Sequence, residues 1–258
     1  MYKRQEELFG TRRGTEEFID VKADAFFALT TDKSEVFVGE GFNTSLAFYV
    51  SEQIRADLEF YDMSKQLTDI LKKIRPSNCW EENFNVENIK REQVTIKNRR
   101  YQKYLIYQAT FFPLNTEPIE FPQVGLKLIK YRMAKNPSFF GPSRQEDFKN
   151  FYTQAKTVAV KELPDHPLKN EVAVGDYQLV EQISGEELQT GESFSFNFKI
   201  QGKGNISAIG NLELPETDKF DIYPPSIQKN VHRRNGGVSG SHSFGFYAIP
   251  VSYTHLRA

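Results

Sequence analysis

The chain has 258 residues, with 33 Lys and Arg against 34 Asp and Glu and a formal net charge of −1. That balance excludes a global field able to recruit nucleic acid or an anionic membrane surface. The one cysteine, Cys79, excludes an intrachain disulfide and a cysteine-built metal cage, and no run of residues has the length and apolar character of a membrane-spanning helix.

The opening "MYKRQEELFGTRRGTEEF" has no apolar core that could serve as a signal peptide. Residues 1–20 are read as the end of a preceding domain or a linker. A first domain is expected over residues 21–164. It begins with the strand "AFFALTTD" from Ala25, then "EVFVGEGFNTSLAFYV" from Glu35 to Val50, a short extended piece, a Gly-Glu turn and a long strand. In "DMSKQLTDILKKIRPS", Ser64 is placed to cap a helix whose Leu67, Ile70, Leu71 and Ile74 share a face, and Pro76 stops it. "YQKYLIYQATFFPL", Tyr101 to Leu114, alternates so that Leu105, Tyr107, Ala109 and Phe111 share one sheet face. The strand "VGLKLIKYRM" follows, and "AKNPSFFGPSRQEDFKNFYTQ" reads as a long polar excursion between strands. "KTVAVKELP" is a strand ending at Pro164, and "PDHPLKNEVAVGD" is a linker, which puts a domain boundary near Asp165.

A second domain is expected over residues 165–250, and it repeats the first. After the strand "YQLVEQIS" from Tyr177, "ELQTGESFSFNFKIQG" aligns Gly191-Glu192 with Gly39-Glu40, an offset of 191 − 39 = 152 residues. A period this long marks duplicated domains rather than a solenoid. Phe194, Phe196, Phe198 and Ile200 alternate with polar residues, so all four lie on one face. The glycines that follow, Gly202, Gly204 and Gly210, do not open an amphipathic helix, as a phosphate-cradling loop requires. Gly202-Lys203-Gly204-Asn205 instead reads as a tight turn, since Gly and Asn tolerate positive φ. "NISAIG", "KFDIYPP" and "SHSFGFYAIP" read as further strands. Many short strands with Gly, Pro and Asn turns predict an all-β fold of tandem immunoglobulin-like β-sandwiches.

The last residues, Val251 to Ala258, back-translate in frame to a transposase-end sequencing adaptor and are excluded from fold reasoning. The parent chain is therefore expected to continue past Pro250. The second domain is expected to be truncated at its C-terminal end, lacking a strand beside Phe194–Ile200 or beside its neighbour and so keeping an open, aggregation-prone edge.

Candidate chemistry is sparse, and neither a cofactor nor a catalytic residue is expected. His232 and His242 flank an Asn235-Gly236 hairpin signal and could meet at a metal, but without a third ligand at suitable spacing they read as solvated hairpin residues. His255 lies in the adaptor stretch and His166 in the linker. Glu81-Glu82 and Glu186-Glu187 are adjacent, so on a strand each pair points to opposite faces and cannot flank one bond. Lys229, Arg233 and Arg234 make a small basic patch at a hairpin tip, read as a solvated turn. Phe139, Phe140 and Trp80 are loop aromatics that could stack on a sugar or fold back over the sandwich end. The residues singled out are structural turns: Gly39, Glu40, Gly191, Glu192, Gly202, Gly204 and Asn205.

The ordered pieces "VKADAFFALTTDKSEVFVGEGFNTSLAFYV", "TVAVKELPDHP", "GESFSFNFKIQGKGNISAI", "FDIYPP" and "FGFYAIP" resemble the BatD oxygen-tolerance (aerotolerance) family. The most specific are Lys161 to Pro164, Gly202 to Asn205, Tyr223 to Pro225 and Tyr247 to Pro250. The resemblance implies immunoglobulin-like domains in the periplasm, tethered to the cytoplasmic membrane by a helix in the full-length parent. It also implies action beside von Willebrand A-domain proteins and a MoxR-type ATPase in envelope stress or oxygen tolerance. The family has no assigned catalytic residues. The alternative, from sandwiches with aromatic loops, is a carbohydrate-binding or adhesion module.

Overall fold

The computed structural model describes residues 18–19, 24–54, 57–134, 144–185, 190–234 and 236–251. Phe139, Phe140, Glu186, Glu187, Asn235, His255 and the rest of residues 252–258 lie outside them.

The first part of the chain runs β1 (Phe18–Ile19), β2 (Ala25–Thr31), β3 (Glu35–Phe37), β4 (Phe42–Ser51), β5 (Asp57–Phe60) and helix α1 (Met63–Ile74). It continues through β6 (Cys79–Asn83), β7 (Arg91–Ile96), β8 (Arg99–Pro113), β9 (Ile119–Phe121), β10 (Gly125–Ala134), β11 (Arg144–Tyr152) and β12 (Lys156–Lys161). One sheet has the order β2-β4-β8-β6, with β7 pairing the other end of β8. Facing it are β10, flanked by β5, β11 and β1, and the smaller sheet β3-β12-β9. A single core joins the layers, including Leu46, Phe42 and Phe111 from one side and Leu126, Leu128 and Phe121 from the other. This is a β-sandwich. Its helix contributes Ile70 and Ile74 to the same core.

The second part runs β13 (Gly175–Ile183), β14 (Phe194–Gly204), β15 (Phe220–Ile222), β16 (Ser226–Arg234) and β17 (Gly237–Pro250), with a 3-10 turn at Ile206–Ala208. Its sheet has the order β13-β14-β17, and β15 and β16 pair the two ends of β17. The long strand β8 is treated in the same way by β6 and β7, so the sequence repeat is a repeat of a five-stranded sheet.

Several expectations change. β14 is hydrogen-bonded along both edges, by β13 and β17, so no position beside Phe194–Ile200 is vacant. "FGFYAIP" fills that position as part of β17, while the outer edge of the neighbouring β13 carries no partner strand among the described residues. "NISAIG" is not a strand: the Asn205 side chain accepts the Ser207 N–H at 3.1 Å and the backbone closes into a 3-10 turn. Residues 144–152, expected within a loop, form β11 along the full length of β10. Their charges obscured an edge strand, where such residues blunt pairing. The β4–β8 register shifts between Leu46 and Ala47, which inserts one extra residue in β8. Ile106 thereby replaces Leu105 in the core, while Tyr107, Ala109 and Phe111 stay there. Ser64 lies inside α1 rather than at its cap, and Asp62 precedes the helix without a side-chain cap bond.

The second sheet's faces differ sharply. Phe196, Phe198, Phe244 and Phe246 share one of them, with the Phe196 and Phe246 rings stacked at 5.1 Å. His242 stands in the same row, buried rather than solvated and 4.2 Å from the Phe244 ring. Burial first, and then the Lys229 ammonium across the strand pair, hold its imidazole below the ordinary histidine range against a weaker opposing pull from the Ile209 backbone. The folded state thus binds this proton less readily than the unfolded chain does. Stability contributed by neutral His242 is present above about pH 6.5 and falls as the pH drops through that value. Denaturation midpoints followed by circular dichroism from pH 8 to 5 should decline for the native chain, and His242→Leu should flatten that part of the decline.

Candidate functional site

The best-built polar cluster joins the two sheets. On β6 the adjacent carboxylates diverge. Glu81 accepts the Tyr107 hydroxyl at 2.8 Å and pairs with Arg75 at 3.0 Å, whereas Glu82 points out of the sandwich. Glu82 is nevertheless only 3% exposed, because the β16–β17 hairpin lies over it. Its Oε2 accepts Arg233 Nε at 2.8 Å and a second guanidinium nitrogen at 2.5 Å. Its Oε1 accepts the Trp80 indole N–H at 2.9 Å and the Ser207 hydroxyl at 3.4 Å. A buried carboxylate is stable only when its lone pairs are met this fully, and two of the three partners come from the second unit.

The hairpin tip fits against β4 and β8. The Thr110 hydroxyl donates to the Gly236 carbonyl at 3.3 Å, and Gly236 has φ +75°. A Cβ there would stand 2.9 Å from Asn43 Nδ2 and 3.1 Å from Gln108 Nε2. The expected solvated basic turn is therefore an interface: Arg233 is committed to Glu82. Sequence spacing held no signal for a pair 151 residues apart. Arg233 and Val238 are register partners, however, and Val238 is buried. Beside the junction a cleft of about 660 Å³ is lined by Lys33, Glu40, Asp176, Lys203 and Arg234.

The predicted turn residues are spread along this chain rather than gathered. Gly39 (φ +78°) and Gly191 (φ +85°) occupy the left-handed region. Gly39 also abuts Val174, which a Cβ would approach to 3.0 Å. The Glu40 carboxylate accepts Lys33 Nζ at 2.8 Å and the Phe37 N–H at 2.9 Å, closing its own turn. Glu192 is exposed. Gly202 is not in a turn: it lies inside β14 between Tyr177 and Gly240, where a Cβ would fall 2.0 Å from the Asp176 carbonyl oxygen. Backbone crowding within the sheet accounts for that glycine. Gly204 (φ +146°) ends the strand, and Asn205 begins the 3-10 turn.

The remaining candidates offer little chemistry. His232 pairs with Ser239 and His242 with Lys229, so the two imidazoles lie on opposite faces of the sheet. Among the described residues no group of three His, Cys, Asp or Glu side chains could hold a metal ion. Burial pushes the Cys79 thiol up to about 12, which keeps it protonated and a poor nucleophile at neutral pH. Trp80 is 48% exposed at the rim of the junction. Three other outward aromatics of the first sheet are engaged with one another: Phe26 stacks on Tyr49 at 4.6 Å and meets Tyr101 edge-on at 5.4 Å.

The second sheet decides the family comparison. Residues 181–253 match the BatD DUF11 like domain. The motif resemblance thus has independent support over β14 to β17 of this BatD-like domain. No curated protein matches the chain. Among solved structures it is similar to the type II cohesin dyad from the adaptor ScaA scaffoldin of Acetivibrio cellulolyticus. That similarity has 9% identity over 88% of this chain and 86% of that one, at a TM-score of 0.19, and an overlay that loose carries no argument. The all-β class rests on the sheets themselves. No helix among the described residues is long and apolar enough to cross a membrane.

Proposed function

We propose that this chain is a non-catalytic interaction region of a BatD-like envelope protein, acting as a rigid two-unit spacer that presents surfaces to partner proteins. The observation that carries the reading is the buried Glu82–Arg233 pair, which ties the BatD-like sheet to the preceding sandwich. A chain that only had to link two domains would not need a fully partnered carboxylate at their junction. The match of residues 181–253 to the BatD DUF11 like domain supports an interaction role; beyond it we propose, from the resemblance of the motifs, a periplasmic location, a membrane tether in the parent, and von Willebrand A-domain proteins with a MoxR-type ATPase as associates in envelope stress or oxygen tolerance. We assign the turn residues Gly39, Glu40, Gly191, Gly204 and Asn205 a structural role in this spacer, with a domain boundary near Asp165. Binding of a purified von Willebrand A-domain partner, titrated against the chain by calorimetry, is expected at micromolar or tighter affinity. Hydrolytic turnover by the chain, or no heat of binding with such partners, would contradict the reading.

A further inference from the structure

We infer a binding trough for an acidic oligosaccharide on the outward face of the second sheet, a site that does not depend on the protein-partner reading above. The faces of β17 are fixed by its neighbours. A Cβ on Gly240 would meet the Ile206 side chain at 3.2 Å, so even-numbered residues face inward, and alternation turns Ser239, Ser241, Ser243 and Gly245 outward. These are the smallest side chains of the face, and they stand in single file down a central strand. Cross-strand register places taller groups on both sides. β14 contributes Asn197, Lys199, Gln201 and Lys203, directly opposite Gly245, Ser243, Ser241 and Ser239. β16 contributes Gln228, Asn230 and His232 opposite Ser243, Ser241 and Ser239. The side chains close over the narrowest point, where a Cβ on Gly245 would lie 2.8 Å from both Asn197 Oδ1 and Ser226 Oγ.

The result is a trough whose serine floor is half-buried at Ser239 and Ser243 and buried at Ser241, with the amides of Asn197, Gln228 and Asn230 exposed on its walls, and its open end has a volume of about 500 Å³. From Ser239 to Ser243, short of the closed point at Gly245, it runs about 13 Å at the rise of an extended strand, enough for about two or three sugar rings. Four of the seven wall residues are amides, Asn197, Gln201, Gln228 and Asn230, whose hydrogen-bonding groups of both senses suit hydroxyls rather than apolar side chains. Charge selects further: Lys199 and Lys203 stand on one wall and are exposed, against the single carboxylate of Asp176 at one end. The fitting occupant is a polyhydroxylated chain that carries carboxylates.

The test uses hexagalacturonate, with cellohexaose as the neutral glycan and hexaglutamate as the acidic peptide, each titrated against the full chain. Hexagalacturonate is expected to bind at least about tenfold more tightly than cellohexaose, since each charged hydrogen bond contributes about a factor of ten or more, and more tightly than hexaglutamate, which lacks hydroxyls for the amide walls. Lys199→Gln with Lys203→Gln should remove that preference. Ser243→Tyr, a substitution that suits a strand, should fill the floor and abolish binding while circular dichroism stays unchanged. The inference is overturned if hexagalacturonate does not bind, if either control binds as tightly, or if the lysine double variant binds it as the native chain does.

Discussion

Arg233→Ala is expected to destabilise the junction by about 3 kcal/mol, at the lower end of the cost of breaking a buried ion pair. The lower end applies because the arginine side chain is 40% exposed while that of Glu82 is 4% exposed. Truncation removes both donors to Glu82 Oε2 and leaves a carboxylate that neither Trp80 nor Ser207 can neutralise. Arg233→Lys should recover only part of the loss, because one ammonium cannot reproduce two guanidinium contacts. Replacing both Glu82 and Arg233 with Leu should cost much less than the sum of the single changes, since no charge is then stranded. Urea denaturation of Arg233→Ala, Arg233→Lys, Glu82→Leu, Arg233→Leu and the double Leu variant checks this. A cost below about 0.5 kcal/mol for Arg233→Ala, the range of surface substitutions, would show that the hairpin is not seated on β6 in solution.

Phe48→Ala is expected to cost about 3–5 kcal/mol, whereas Leu179→Ala should cost under about 0.5 kcal/mol. Phe48 is 1% exposed and packs edge-on against Phe151 at 4.9 Å and Phe60 at 6.0 Å, with a full sheet on either side. Leu179 holds the same kind of inward position on β13, opposite Ile200, yet it is 58% exposed. Ile183 and Ile227, also on the inward face, are about half exposed. The two sheets share a strand order but not a covering layer: β9 to β12, with α1 and β5, close over the first. The second has the Ile206–Ala208 turn, where Ile206 is fully buried. Thermal melts of the two variants measure the contrast directly. A large loss for Leu179→Ala would mean that this face is covered in solution.

Much of the fold was legible because period-two alternation and Gly-Glu turns are local signals. Phe194 to Ile200 and the 152-residue repeat could be read that way, and α1 from the three-and-four spacing of Leu67, Ile70, Leu71 and Ile74. The bulge that exchanges Leu105 for Ile106 could not, because it depends on pairing with β4. β11 was hidden by its charges, and "NISAIG" by an Asn205 side chain that competes for the backbone. Gly202 carried the right residue for a reason the sequence does not display, the closeness of the Asp176 carbonyl on a neighbouring strand. The junction was the least legible feature. Glu82 and Arg233 each sit among like-charged neighbours, and only the tertiary packing selects one partner for each.

The spacer reading is tested most directly by retention from the envelope. The immobilised chain, in native form and as Arg233→Ala, is challenged with detergent-solubilised envelope from the source cells, and retained proteins are quantified by mass spectrometry. The native chain is predicted to retain von Willebrand A-domain proteins, with the loosened variant retaining several-fold less. Absence of those proteins on the native chain, with release of the bound material by free glycans, would contradict the scaffold role and transfer it to the sugar-binding trough.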